Sequence, residues 1–301
     1  MKRLFFLVFI IVFGLNVTNA QRWKAERNTI VMGAGMTQFM GDLGGGAKDA
    51  AHFFGVRDIN FAKTRPVISA HFRYRIIEEV AAKAGISWGI LAASDAESGS
   101  EGRMLRNLSF TSNIWQLSLH GEYYFVKEKA NPRYSFSSLR SIRNFSAYVF
   151  TGVAVTYFNP KAEYEGTKYA LQPLGTEGQG IGDNPGLYSR IAIGWPLGLG
   201  AKYNLNRQLA IGLEISNTYT TSDYIDDAHN TYYDNGQIQS AYGPIAAALA
   251  DRHLNPDGTP ASPYESGQKY RGSPDYNDAY ILTVVTLTYK LKRNMSGLPK
   301  F

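Results

Sequence analysis

The chain contains no cysteine. Disulfides and thiolate metal sites are therefore excluded, and nothing about the fold depends on redox state. Long apolar runs are also scarce: after residues 4–15, no segment reaches the roughly 18 consecutive apolar residues of a transmembrane helix. Charge of one sign is nearly absent as an excess. Without Lys2 and Arg3, 29 basic residues face 25 acidic ones, a net charge of +4 spread along the chain. That balance is too weak and too dispersed for nucleic-acid binding. Histidine is rare as well. His52, His71, His120, His229 and His253 lack metal-type spacing, and no serine sits in a nucleophile-elbow context, so no catalytic group emerges.

What the chain does have is a start and a rhythm. Residues 1–20 carry Lys2 and Arg3, an apolar stretch, and small residues at Val17, Thr18, Asn19 and Ala20. This is the pattern of a secretory signal peptide, which leaves residues 21–301 as the mature domain. No cysteine follows the apolar stretch, so the pattern is not that of a lipoprotein.

The rhythm is a period of two, clearest at 279–292, where Ile281, Val285, Leu287 and Tyr289 alternate with Val284, Thr286, Thr288 and Lys290. Alternation rich in Val, Ile, Thr and Tyr specifies a β-strand. Fourteen residues exceed both the usual strand of about five or six and the roughly 9–11 that cross a bilayer.

Seven further stretches repeat the pattern, beginning near residues 29, 66, 80, 115, 145, 191 and 209. Short connections at 78–79 and 204–206 and a medium one at 127–144 lie on one side. Long loops at 41–65, 94–111, 159–187 and 221–278 lie on the other. The longest loop holds one helix-like stretch, 244–252. Trp88, Trp115 and Trp195 fall toward the long-loop ends or mid-strand, and Tyr74, Tyr123, Phe125, Tyr203 and Tyr289 toward the short turns, as two interfacial belts would. The expected fold is an all-β, eight-stranded antiparallel transmembrane β-barrel in the outer membrane, in contact with its lipids, with long loops on one side. A secreted β-sandwich is the competing fold, because alternation alone suits both.

A barrel of eight strands has an interior just wide enough for side chains. The opposite faces place Arg73, Arg75, Lys83, His120, Glu122, Arg190, Lys202, Glu214 and Lys290 inside it or at its mouth. Buried charges have to pair, so Glu122 and Glu214 are expected to bind the cations in a plug-like network. Lys127, Lys129, Arg133, Arg140 and Arg143, against the single acid Glu128, make a basic connection on the short-turn side. It suits either an acidic periplasmic partner or plain solvation. Asp223, Asp226 and Asp227, with Asp42, offer oxygen ligands of the kind Ca²⁺ takes, but not at EF-hand spacing, and acidic loop caps are common. The sequence assigns no metal and no cofactor.

Three motifs carry a resemblance. Gln38-Phe39-Met40-Gly41-Asp42-Leu43, then Leu171-Gln172-Pro173-Leu174-Gly175-Thr176-Glu177-Gly178-Gln179-Gly180, then Thr221-Ser222-Asp223-Tyr224-Ile225-Asp226-Asp227 resemble the PorG family, outer-membrane barrels of the type IX secretion system of Bacteroidota. The resemblance spans the mature chain. It implies a non-enzymatic anchor for a periplasmic ring built by a lipoprotein and its soluble partner, required for secretion and, in gliding species, for motility. The family signature falls on Gly41, Asp42 and Leu43, on residues 172–180, and on Asp223, Tyr224, Asp226 and Asp227. The strand count puts all three motifs on the long-loop side, away from the implied ring. The alternative is a small porin or ligand-binding barrel.

Overall fold

In a computed structural model, the structure describes residues 27–44, 61–127, 144–206, 208–293 and 299–300. The signal-peptide reading lies outside the described residues. So do Lys129, Arg133, Arg140 and Arg143 of the basic connection.

Eight strands close into a barrel: β1 (Asn28–Met40), β2 (Arg65–Arg75), β3 (Val80–Ser94), β4 (Ser109–Val126), β5 (Phe145–Tyr164), then β7 (Ile191–Asn204), β8 (Leu209–Thr220) and β9 (Ala279–Lys290). Every neighbour is antiparallel. The order β4-β3-β2-β1-β9-β8-β7-β5 is closed by the pairing of β4 with β5. Between β5 and β7, a short strand β6 (Thr167–Ala170) pairs with the far end of β5. Among the described residues no helix is long and apolar enough to cross a membrane, and the crossing is made by strands.

The side-chain alternation decides which face meets lipid. Met32, Ile68, Phe72, Leu117, Leu119, Val153, Leu197, Leu199, Ile211 and Val285 are exposed on the outer wall, while their neighbours along each strand are buried or half-buried. A soluble sandwich would turn such residues inward. Along β4, the outward row runs from Trp115 to Phe125, ten positions or about 34 Å of strand. With a tilt near 40° this spans about 26 Å along the barrel axis, close to the ~25 Å apolar band of outer-membrane barrels. The two belts read from the sequence flank that band: Trp88 and Trp115 face each other in register on the loop side, and Tyr74, Tyr123, Phe125, Tyr203 and Tyr289 are exposed on the turn side. The protein is an outer-membrane β-barrel.

The interior is layered. On the turn side, Arg73 and Lys83 meet Glu122 and Glu214: Arg73 Nε lies 2.7 Å from Glu122 Oε2, Arg73 Nη2 3.0 Å from Glu214 Oε1, and Lys83 Nζ 2.6 Å from Glu214 Oε2. Tyr124 donates to Glu122 and Tyr148 to Glu214. Arg75 and Lys202 both lie over the Tyr124 ring, and Lys290 is buried on the same side. A polar cavity of about 30 Å³ follows, lined by Ser69, His71, Ser87, Gln116, Ser118 and His120 among others, with room for about one water. Above it, the loop-side half of the lumen is mainly apolar, filled by Val67, Leu91, Phe110, Ile114, Phe158, Tyr280, Leu282 and Val284, with the buried hydroxyls of Ser112, Thr156 and Thr218 among them. The charge network expected from the sequence thus occupies the turn-side half of the lumen.

Arg190 departs from expectation in the way it faces. It precedes β7 at the rim, with its guanidinium over the outward Tyr157 ring and Nη1 3.4 Å from Asn159 Oδ1. Alternation stops at the first paired residue, Ile191, and a cation at the lipid boundary gains more from an aromatic face than from an apolar lumen. β5 likewise runs past its expected end. Pairing with β4 finishes at Lys161, just after Pro160, and β6 takes up the edge from there.

Candidate functional site

The described parts of the long loops form one structure over the barrel mouth. They carry α1 (Glu101–Arg106), α2 (Asn235–Tyr242) and α3 (Pro244–Ala250). Only the last of these was visible in the sequence. Ile225, Ala228 and Leu249 of the loops share a single core with Phe39, Phe110 and Phe158 of the strands, so lumen and cap are continuous.

The three signature motifs, two of them in contact across 183 positions of the chain, meet in this cap. Leu43 N donates to Asp226 Oδ2 at 3.1 Å. Thr176 Oγ1 and Tyr188 OH donate to Asp227. Glu177 Oε1 receives the backbone N–H of His229 at 2.9 Å and of Asn230 at 3.2 Å. Gln172 reaches the Tyr188 carbonyl, and Gln179 Oε1 turns back to the Glu177 N–H. Pro173 starts the one-turn helix Gln172–Leu174, and Leu174 packs on the cap core. Tyr224 stacks on Tyr188 with ring centroids 4.4 Å apart.

Two glycines explain their places in the motifs. A side chain on Gly41 would begin 2.1 Å from Asp278 Oδ1, and Gly178 has φ +75 with the Tyr233 ring 2.4 Å from where its Cβ would lie. Gly175 and Gly180 sit against Tyr242 in the same segment.

Two arginines that the sequence did not single out tie the motifs together. Arg271 is buried, with Nη1 3.2 Å from Glu177 Oε1, Nη2 3.2 Å from Asp227 Oδ2, and Nε donating to the Ala250 carbonyl. Arg106 holds Asp95 through two nitrogens and donates to the carbonyls of Asp42 and Arg271. Asp95 in turn accepts the N–H of Gly44 and Leu108. Arg106 ends the short helix α1 and Arg271 lies in the longest loop, and in neither place does a single basic residue give a signal of burial.

The carboxylates form a second group. Asp42, Asp223, Asp226 and Asp278 are all buried. Burial, and then the neighbouring carboxylates, push Asp226 and Asp278 well above the usual carboxylate range and Asp223 to about 10. Asp223 Oδ2 lies 2.7 Å from His229 Nδ1, Asp278 Oδ2 receives the Ile225 N–H, and Asp42 Oδ2 receives that of Ser273. Among the described residues no group of three or more His, Cys, Asp or Glu is arranged to hold a metal. The cluster's oxygens cap loop N–H groups, and burial beside one another favours the protonated form of Asp223, Asp226 and Asp278.

Of the basic connection, Lys127 is described, and it pairs with Glu79 across the β2–β3 turn.

Comparison with solved structures finds other small outer-membrane barrels at low likeness. Neisserial surface protein A is 7% identical, with 87% of this chain and 96% of that one covered and a TM-score of 0.39. The N-terminal β-barrel domain of Pseudomonas aeruginosa OprF gives 8%, 88%, 97% and 0.33, and E. coli outer membrane protein W 13%, 88%, 98% and 0.33. No curated protein matches. Residues 2–243 match a family described as a domain of unknown function (DUF6089), and the chain belongs to that family.

Proposed function

We propose that this protein is a non-enzymatic outer-membrane scaffold of a type IX-like secretion machine, anchoring a periplasmic ring to the outer membrane. The observation that supports it is the double closure of the barrel. Ion-paired charges fill the turn-side lumen, and an apolar core continuous with the cap fills the loop side. Such an interior favours a rigid anchor over a conduit. The resemblance carried by Gly41, Asp42 and Leu43, by residues 172–180, and by Asp223, Tyr224, Asp226 and Asp227 supplies the identity of the machine. In the structure, these residues serve the cap rather than the turn side where a ring would dock. Ring contact is therefore assigned to the short connections and the residues that flank them, Lys127 included.

The test is crosslinking of a tagged copy in intact cells, with identification of what is joined to it. Crosslinks from Lys127 or Lys129 to a periplasmic ring lipoprotein or its soluble partner, with secretion lost on deletion, are the expected outcome. A barrel recovered alone with secretion intact overturns the anchor, and stable conductance in a planar bilayer establishes the porin alternative.

A further inference from the structure

We propose that the outer wall at the loop-side ends of β4, β5 and β7 binds the phosphorylated headgroup of an outer-leaflet glycolipid, with Lys161 and Arg190 as the phosphate ligands. This goes beyond the scaffold reading and requires only that the barrel sits in the outer membrane with its long loops outward.

Register fixes the depth. Trp115 lies opposite Tyr157, Asn113 opposite Asn159, and Thr111 opposite Lys161. The outward row of β5 therefore runs Val155, Tyr157, Asn159, Lys161 from the apolar band outward. Asn159 lies about 7 Å along the strand beyond the aromatic pair and Lys161 about 14 Å. After the tilt these are about 5 and 10 Å, which spans the headgroup layer. Arg190 enters opposite Phe158, between the levels of Tyr157 and Asn159, since its carbonyl accepts the Phe158 N–H at 2.9 Å. Its guanidinium spreads over Tyr157 at 5.8 Å, with Nη1 on Asn159. Directly beneath lie the exposed acyl-chain contacts Leu117, Val155 and Ile193. An apolar wall, an aromatic belt and then two cations with amide donors is the order in which a phosphorylated lipid presents its own parts.

The cations are suited to the task. Neither Lys161 nor Arg190 joins a salt bridge among the described residues. The hairpin's own carboxylates, Glu163 and Glu165, lie further out, and Glu163 has Lys168 opposite it in register. A planar guanidinium and a mobile ammonium together complement a phosphate dianion. Elsewhere on the loop-side rim the described cations are otherwise engaged: Arg65 donates to the carbonyls of Ala62 and Thr64, and Lys63 pairs with Glu97. The patch thus occupies one sector of the barrel rather than a ring around it.

The test uses the full mature chain folded in a neutral detergent and titrated with diphosphoryl lipid A, its dephosphorylated form, or phosphatidylglycerol, with bound lipid counted by native mass spectrometry. One lipid A per barrel is expected, with affinity falling about tenfold or more in Lys161→Gln/Arg190→Gln and to a similar level for the dephosphorylated lipid. Lys168→Gln serves as the control and is expected to bind as the parent does. Heat-modifiable electrophoretic mobility reports folding, and the single variants Lys161→Gln and Arg190→Gln carry the test if the double variant does not fold. Unchanged binding by the glutamine variants overturns the proposal. So does equally tight phosphatidylglycerol binding, which would mean attraction to any acidic lipid, or displacement by inorganic phosphate at the lipid's own concentration, which would mean a bare anion site.

Discussion

Arg271 and Glu177, 94 positions apart in the chain, form a buried ion pair that joins the longest loop to the β6–β7 loop. Each also has a second duty, Arg271 to Asp227 and Glu177 to the N–H groups of His229 and Asn230. Removing one member of such a pair leaves the other charged and desolvated, at a cost of about 3–5 kcal/mol. Arg271→Ala is therefore expected to open the cap. Limited proteolysis should cut within 221–278 in the variant, while the heat-modifiable mobility of the barrel, whose strands carry their own hydrogen-bond ladder, should be unchanged. Loss of both together would show that cap and barrel fold as one unit.

The Gly178 position is a sharper probe of the same region. Its φ of +75 is costly for any residue with a Cβ, and the Tyr233 ring leaves no space for one. Gly178→Ala should destabilise the cap by more than the ~1 kcal/mol of the backbone term alone. Tyr233→Ala in the same chain should return the steric part and leave the backbone part. Equal protease sensitivity of the single and double variants would show that the ring contact contributes nothing.

How far this cap was legible differs from the barrel, and the reason is physical. A barrel strand writes its facing into every second residue, because lipid and lumen demand opposite chemistry. The split of Leu117 from Gln116, or of Ile211 from Gly212, therefore needs no structure, although which of the two faces meets lipid does. The cap is held by single residues meeting across long loops, and no local pattern announces that Arg106 will meet Asp95 and the Asp42 carbonyl. The aspartates of the motifs stand out as oxygen ligands and the other motif residues by resemblance alone, and the structure supplies their purpose: Asp226 and Asp227 cap N–H and hydroxyl groups, and Gly41 clears room for Asp278. Arg190 lies at the mouth, one of its two expected places, but faces outward, because the alternation begins one residue later, at Ile191.

The lumen network yields a prediction about its own strength. Glu214 faces both Arg73 and Lys83, and Lys83 is fully buried. Glu214→Ala leaves two cations to Glu122 alone, and a loss of about 3–5 kcal/mol is expected. The measurement is the urea midpoint of barrel unfolding in detergent or lipid. Conductance should stay absent, because the apolar layer from Phe110 to Val284 still closes the loop-side half. A channel opened by this one substitution would mean that the ion pairs, not the apolar layer, are the seal.

The carboxyl cluster makes cap stability depend on pH, with a sign that can be worked out. Asp223, Asp226 and Asp278 hold their protons more tightly in the folded cap than in an unfolded loop, where an aspartate titrates near ~3.9. The folded state thus binds more protons, and its stability falls as pH rises. The contribution is complete below about pH 4 and is lost progressively above it, until for Asp223 the folded value of about 10 is passed. Hydrogen exchange or proteolysis of residues 221–278 should therefore accelerate from pH 6 to pH 10 beyond the intrinsic chemical rate, while the barrel strands remain protected. Asp223→Asn preserves the shape of the protonated acid and cannot ionise, so it should flatten part of that dependence and leave the cap firmer at pH 10 than the parent. A variant as alkali-sensitive as the parent would mean that Asp223 is not a group whose deprotonation loosens the loops.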